Sequence, residues 1–122
     1  MIRSILLETP FDYEAGTVTL HLDRKIEVKL TPEEAQRLVN NYVHLELSTQ
    51  LHAEAPTLVV GDQVFWRVPI HLTFPSFGDV GQVGFIQVDP VTGEMDTSSS
   101  TLNKLTHNAE NLAKRFTSPA AN

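Results

Sequence analysis

A chain of 122 residues with no cysteine and a formal net charge of −6 has the size of one domain and can bury a core without covalent staples. The missing cysteine excludes disulfides and thiolate chemistry. The acidic balance disfavours binding to phosphate backbones. No apolar run approaches membrane-spanning length and residues 1–8 are too short an apolar stretch for a leader, so a cytoplasmic protein that neither enters a membrane nor binds nucleic acid is expected.

Residues 2–8 form a short apolar run that reads as a first strand. Residues 11–16 are turn-rich, with Gly16 at the position that wants a positive φ. Residues 17–30 alternate, with Val18, Leu20 and Leu22 on one parity and Ile26, Val28 and Leu30 continuing it. Two arrangements fit: a hairpin turning at residues 23–25, or one long strand. Strand length favours the hairpin, although the turn lacks the usual glycine, asparagine or proline.

Thr31, Pro32 and Glu34 are the clearest local signal. Thr31 supplies an N-cap hydroxyl, Pro32 sits where a missing N–H costs nothing, and Glu34 completes a capping box. Behind them Ala35, Leu38, Val39, Tyr42, Val43, Leu47 and Leu51 follow the helical period. The spacing predicts an amphipathic helix over residues 32–52, with His44 and His52 on its outer face.

Residues 58–60, a Gly61–Asp62 turn and residues 63–75 then read as a hairpin. In its long second strand Val64, Trp66, Val68, Ile70, Leu72 and Phe74 fall on every second position, which places one face on a core. Pro69, having no N–H, points to a strand near an edge. A turn over residues 75–79 leads into a strand over residues 80–89, where Gly81 and Gly84 mark a bulge or a close backbone approach. Residues 89–94 make another turn, and Met95 resumes an extended course. After a polar, serine-rich run, Leu102, Leu105, Ala109, Leu112 and Phe116 predict a second amphipathic helix over residues 102–116. The expected fold is α+β: an antiparallel sheet packed against the first helix, with an additional C-terminal helix, in a single domain spanning residues 1–122.

The last strand runs into Asp89, Thr92, Gly93, Glu94 and Met95. With the capped helix and the hairpins before it, this D-x-x-T-G-E turn resembles that of PepSY-type modules, over about residues 31–96. The resemblance implies a binding or inhibitory role and transfers no catalytic residue, because the motif is structural.

Of the five histidines, His44 and His52 stand too far apart for the spacing of about three or four residues that metal pairs use on a helix. His21 and His71 fall on predicted strands and His107 on the second helix. No metal site is assigned. Arg67 and His71 share the face of the long strand opposite Trp66 with Phe65, Pro69 and Thr73, a pattern of either a solvated face or a contact surface. Asp89, Glu94 and Asp96 crowd one turn without calcium-loop spacing, and hydrogen bonding by Asp89 within the turn is the better account. There is no nucleophile elbow and no glycine-rich phosphate loop, so no catalytic residue, cofactor or enzymatic activity is assigned.

The function expected is therefore a non-catalytic protein-binding or regulatory module that self-associates as a homodimer. The candidate ligand or interface residues are Phe65, Arg67, His71, Tyr42, Leu105 and Leu112. The narrow stripe of the second helix is the favoured dimer contact, with docking on its own sheet as the other option. Two alternatives stand beside this: a small-molecule-binding domain with a pocket between the first helix and the sheet, near Tyr42, Trp66 and His71, and an antitoxin-like partner protein.

Overall fold

A computed structural model describes residues 4–8, 11–20 and 23–117. It has the α+β architecture expected from the periodicities. In chain order the elements are β1 (Ser4–Leu7), β2 (Phe11–Glu14), β3 (Thr17–Leu20), α1 (Pro32–Glu46), β4 (Leu51–Ala53), β5 (Thr57–Val60), β6 (Val64–Phe74), β7 (Gly78–Val88) and α2 (Ser99–Thr117). A five-stranded sheet is organised around β6, and β2 and β3 form a separate two-stranded sheet.

The β6 strand is paired along both edges. On one edge β5 lies opposite Val64–Arg67 and β4 opposite Ile70–Leu72. On the other, β7 runs antiparallel along almost its whole length. β1 adds to β5 in parallel and closes that side of the sheet. Pro69 is therefore not on an edge strand. Glu54 N–H donates to Pro69 O at 2.9 Å, and a strand residue points its N and C=O to the same side. The proline nitrogen thus faces the break between β4 and β5, where no ladder bond is lost.

The parity of β6 sorts the two faces as expected. Trp66, Val68, Ile70 and Leu72 are buried, and Phe65, Arg67, Pro69, His71 and Thr73 alternate with them at intermediate exposure. The buried set joins Ala35, Val39 and Val43 of α1 and Leu105 of α2 in one core. Both helices thus lie against the same face of the sheet. The indole N–H of Trp66 is not stranded in that core: it donates to Leu30 O at 3.1 Å.

α1 begins with the capping box: Thr31 N–H donates to Glu34 Oε1 at 2.9 Å and Glu34 N–H donates to Thr31 Oγ1 at 3.1 Å. It ends at Leu47 rather than near residue 52. Ser48 N–H donates to Val43 O and Leu51 N–H to Ser48 O, which turns the chain. Leu51 and Ala53 are then buried on strand parity. Leu51 continues the four-residue step from Val43 and Leu47, so the apolar positions fit helix and strand alike. The decision falls to pairing with β6. Two side chains of α1 then hold the free edge of β4: Asn40 Oδ1 accepts from Ala53 N–H at 2.9 Å, and Gln36 Nε2 donates to Ala53 O at 3.0 Å.

The N-terminal third departs from expectation. Residues 11–14 are a strand, not a connection, and pair with β3 around Gly16 at φ 86°. No hairpin turns at residues 23–25 and no long strand runs over 17–30. Residues 23–29 carry no regular structure, and Lys29 and Leu30 instead donate their N–H groups to Pro90 O. Residues 21 and 22 lie outside the described residues.

The second helix docks on its own sheet: Leu105 belongs to the protomer core and the partly buried Leu112 packs against it, so neither lies on a free dimer seam. Leu105 is 1% exposed. Gly84 makes this possible: a Cβ there would stand 2.7 Å from Leu105 Cδ2, and a Cβ at Gly81 would stand 3.1 Å from Leu112 Cδ2. Both glycines hold positive φ, at 156° and 145°. The sheet opens two shallow seats and the leucines fill them. Ser98 starts the helix, its Oγ accepting from Thr101 N–H at 3.3 Å.

Candidate functional site

The face of the sheet turned away from both helices carries the polar and aromatic groups. At one end, Arg67 lies over two rings, with its guanidinium carbon 5.8 Å from the Phe65 centroid and 5.2 Å from that of Phe85. Its Nη2 is 3.5 Å from Glu8 Oε1. Phe85 lies opposite Pro69 and is 43% exposed. Of the residues expected to form a contact surface, Phe65, Arg67 and His71 are therefore on one face. Tyr42 is not with them. It is half-buried and packs against the core on the helix side. Trp66 and His71 point to opposite faces, so a single pocket between helix and sheet does not contain both.

At the other end of this face four ionisable side chains converge. His52 of β4 is the cross-strand partner of His71 of β6, and the two ring centroids are 5.8 Å apart. Glu54 follows two residues on, and its Oε1 is 2.8 Å from His52 Nε2. Asp79 of β7 places Oδ2 2.7 Å from His71 Nδ1. One potential ligand atom from each of His52, Glu54, His71 and Asp79 lies within 4.8 Å of the others.

The folding logic behind this cluster is specific. The register of β6 and β7 slips between Ile70 and His71 and again between Leu72 and Thr73. A bulge-free ladder continued from Trp66–Val88 would set Asp79 opposite Pro75. The two slips bring it opposite Thr73 instead, within reach of His71. Gly81 N–H then donates to Asp79 Oδ1 at 2.9 Å, which fixes the carboxylate and leaves Oδ2 toward the histidine. His52 is fixed on its far side as well, with Thr73 Oγ1 2.7 Å from Nδ1. Because the Glu54 carboxylate only accepts, His52 Nε2 carries a proton in this arrangement, and in the neutral ring Nδ1 accepts from the threonine hydroxyl. The sequence left His52 on a helix and Asp79 in a turn. The available signal was the H-x-E spacing of His52 and Glu54, which puts both on one face only if the segment is a strand.

The Asp89 turn is built as its residue types imply. Asp89 Oδ1 accepts from Val91 N–H at 2.8 Å and from Thr92 N–H at 2.9 Å, and these bonds, that from Thr92 foremost, hold its carboxyl below the ordinary value. Val88 and Met95 then form an antiparallel bridge. Asp96 caps the entry to α2. Its carboxyl is lowered chiefly by the Thr101 hydroxyl, which donates to Oδ2 at 2.6 Å. These acids serve the turns and are not part of the His52–Asp79 group.

No helix among the described residues is long and apolar enough to cross a membrane. Comparison of the chain with family models, with curated proteins and with solved structures gave no match.

Proposed function

We propose that this domain is a non-catalytic binding module that works as a homodimer, joined through the β1 edge of its sheet. One observation carries the reading. β1 ends the strand order on its side, and its Ile5, Leu6 and Leu7 are 63%, 40% and 40% exposed. Among the described residues β1 pairs with β5 alone, and a strand edge with no strand partner and with uncovered apolar side chains is a template for another strand. A second copy is the occupant that fits most economically, because antiparallel pairing of β1 with itself about a twofold axis covers the same patch on both chains. The burial of the core face of β6 supports a surface function over an internal ligand pocket around Trp66: Trp66, Val68, Ile70 and Leu72 are at most 4% exposed.

The test is the mass in solution. Sedimentation equilibrium of the unmodified chain at micromolar concentration is expected to give a dimer. The Ile5→Lys, Leu6→Lys variant is expected to give a monomer with an unchanged circular-dichroism spectrum, since lysine is a natural blocker of strand edges. A wild-type chain that stays monomeric at high concentration overturns the reading. So does a dimer that the lysines leave intact.

A further inference from the structure

We propose that His52, Glu54, His71 and Asp79 form a binding site for one transition-metal dication of the zinc type. The donor set is two imidazoles and two carboxylates, supplied by β4, the segment after it, β6 and β7. Such a nitrogen–oxygen set suits zinc and its neighbours, whereas magnesium and calcium favour all-oxygen shells. The charge balances, because two carboxylates offset the dication around neutral imidazoles. The spacing is close to what a tetrahedral site needs. Metal bonds of about 2.0–2.1 Å imply donor separations of about 3.3 Å. Here the His52–Glu54 and His71–Asp79 pairs stand at 2.8 and 2.7 Å, and no pair exceeds 4.8 Å. Small side-chain movements of opposite sense open the first two and draw the rest in.

Two features mark a prepared site rather than a chance meeting of surface groups. The four residues are at most half-exposed: His71 and His52 side chains retain 22% and 29% of their area, Glu54 and Asp79 42% and 45%. Two of the four also have an outer atom already held. Gly81 N–H fixes Asp79 Oδ1, and Thr73 fixes the imidazole of His52 through Nδ1. Outer hydrogen bonds of this kind orient metal ligands and set their tautomers. The Thr73 hydroxyl serves both states. It donates to Nδ1 while Nε2 carries the proton, and it accepts from Nδ1–H once Nε2 faces a metal. Binding thus shifts the His52 proton from Nε2 to Nδ1 and breaks no backbone bond.

The site is separate from the β1 edge, so its test is independent of dimerisation. Untagged wild-type protein, stripped of metal, is titrated with zinc in a calorimeter and in a thermal melt. One zinc per chain is expected, with a raised melting temperature. His52→Ala and His71→Ala are each expected to weaken binding by at least about tenfold, since even outer-shell changes cost that much, whereas His107→Ala, at an exposed position of α2, leaves it unchanged. Magnesium is expected not to compete. Cobalt added to the wild-type chain gives a readout that needs no variant: intense visible absorption marks four-coordinate binding, and loss of that band on adding zinc locates both ions in one site. Failure of the wild-type chain to bind zinc stoichiometrically overturns the proposal. So does binding that survives both histidine replacements, or a cobalt spectrum of the six-coordinate, weakly absorbing kind.

Discussion

At the level of single residues, position in the sheet decides what each side chain does. Trp66 is 4% exposed, and its ring is surrounded by the core while its N–H is satisfied by Leu30 O. Trp66→Ala is expected to destabilise by on the order of 3–5 kcal/mol in urea unfolding. Trp66→Phe keeps most of the apolar contact and strands Leu30 O, at a cost of about 1 kcal/mol or somewhat more. Asp89 acts through charge instead. Its carboxyl is held below the usual value by the Thr92 and Val91 N–H groups. A carboxyl with a lowered folded pKa contributes stability above its unfolded pKa of about 3.9 and loses it as pH falls through the folded value. Unfolding measured at steps from about pH 6 to pH 2 is expected to show that loss in the wild-type chain. Asp89→Asn is expected to be less stable at neutral pH and to show a flatter acid limb. Equal acid slopes for the two proteins rule out this role.

The elements show what was legible in the chain and what was not. The capping box at Thr31, the parity of β6 and the Asp89 turn rest on contacts a few residues apart, and each could be read from spacing. The end of α1 could not, because Val43, Leu47 and Leu51 satisfy the helical step while Leu51 and Ala53 satisfy strand parity. Only pairing with Ile70 and Leu72 resolves the tie, and it is that resolution which turns His52 toward His71. Asp79 was hidden for a related reason, since its place depends on two register slips that no periodicity announces. The glycines of β7 were readable as a close approach but not what approaches them. Gly84 supplies the check. Its φ is 156°, and Leu105 Cδ2 lies only 2.7 Å from where an added methyl would stand. Gly84→Ala is therefore expected to cost about 1–3 kcal/mol through strain and overpacking. Combining it with Leu105→Ala is expected to cost less than the two single changes together, because the cavity of one accepts the methyl of the other. Strict additivity in this double-mutant cycle places α2 elsewhere.

For the whole molecule, the decisive question is whether α2 completes one chain or joins two. The stripe Leu105, Ala109 and Leu112 is narrow enough for either, and a sequence pattern alone does not say which surface receives it. Here the receiving surface is in the same chain. Gly81 and Gly84 lie under Leu112 and Leu105, and Asn108 Nδ2 donates to Val83 O at 2.8 Å beside them. A domain of this size has a net stability of about 5–15 kcal/mol. Placing carboxylates at both Leu105 and Leu112 removes two seated side chains and puts a charge at the Leu105 position, which is 1% exposed, a combination that belongs to the most damaging class of substitutions, at more than about 4 kcal/mol. The Leu105→Glu, Leu112→Glu variant is therefore expected to lose its cooperative urea transition and its near-ultraviolet circular dichroism. Lys104→Glu and Lys114→Glu, at exposed positions on the same helix, change charge by the same sign and are expected to leave both intact. A double variant that keeps its fold while its sedimenting mass halves transfers α2 from the protomer core to an interface between chains. Its survival with unchanged mass makes the helix dispensable to both.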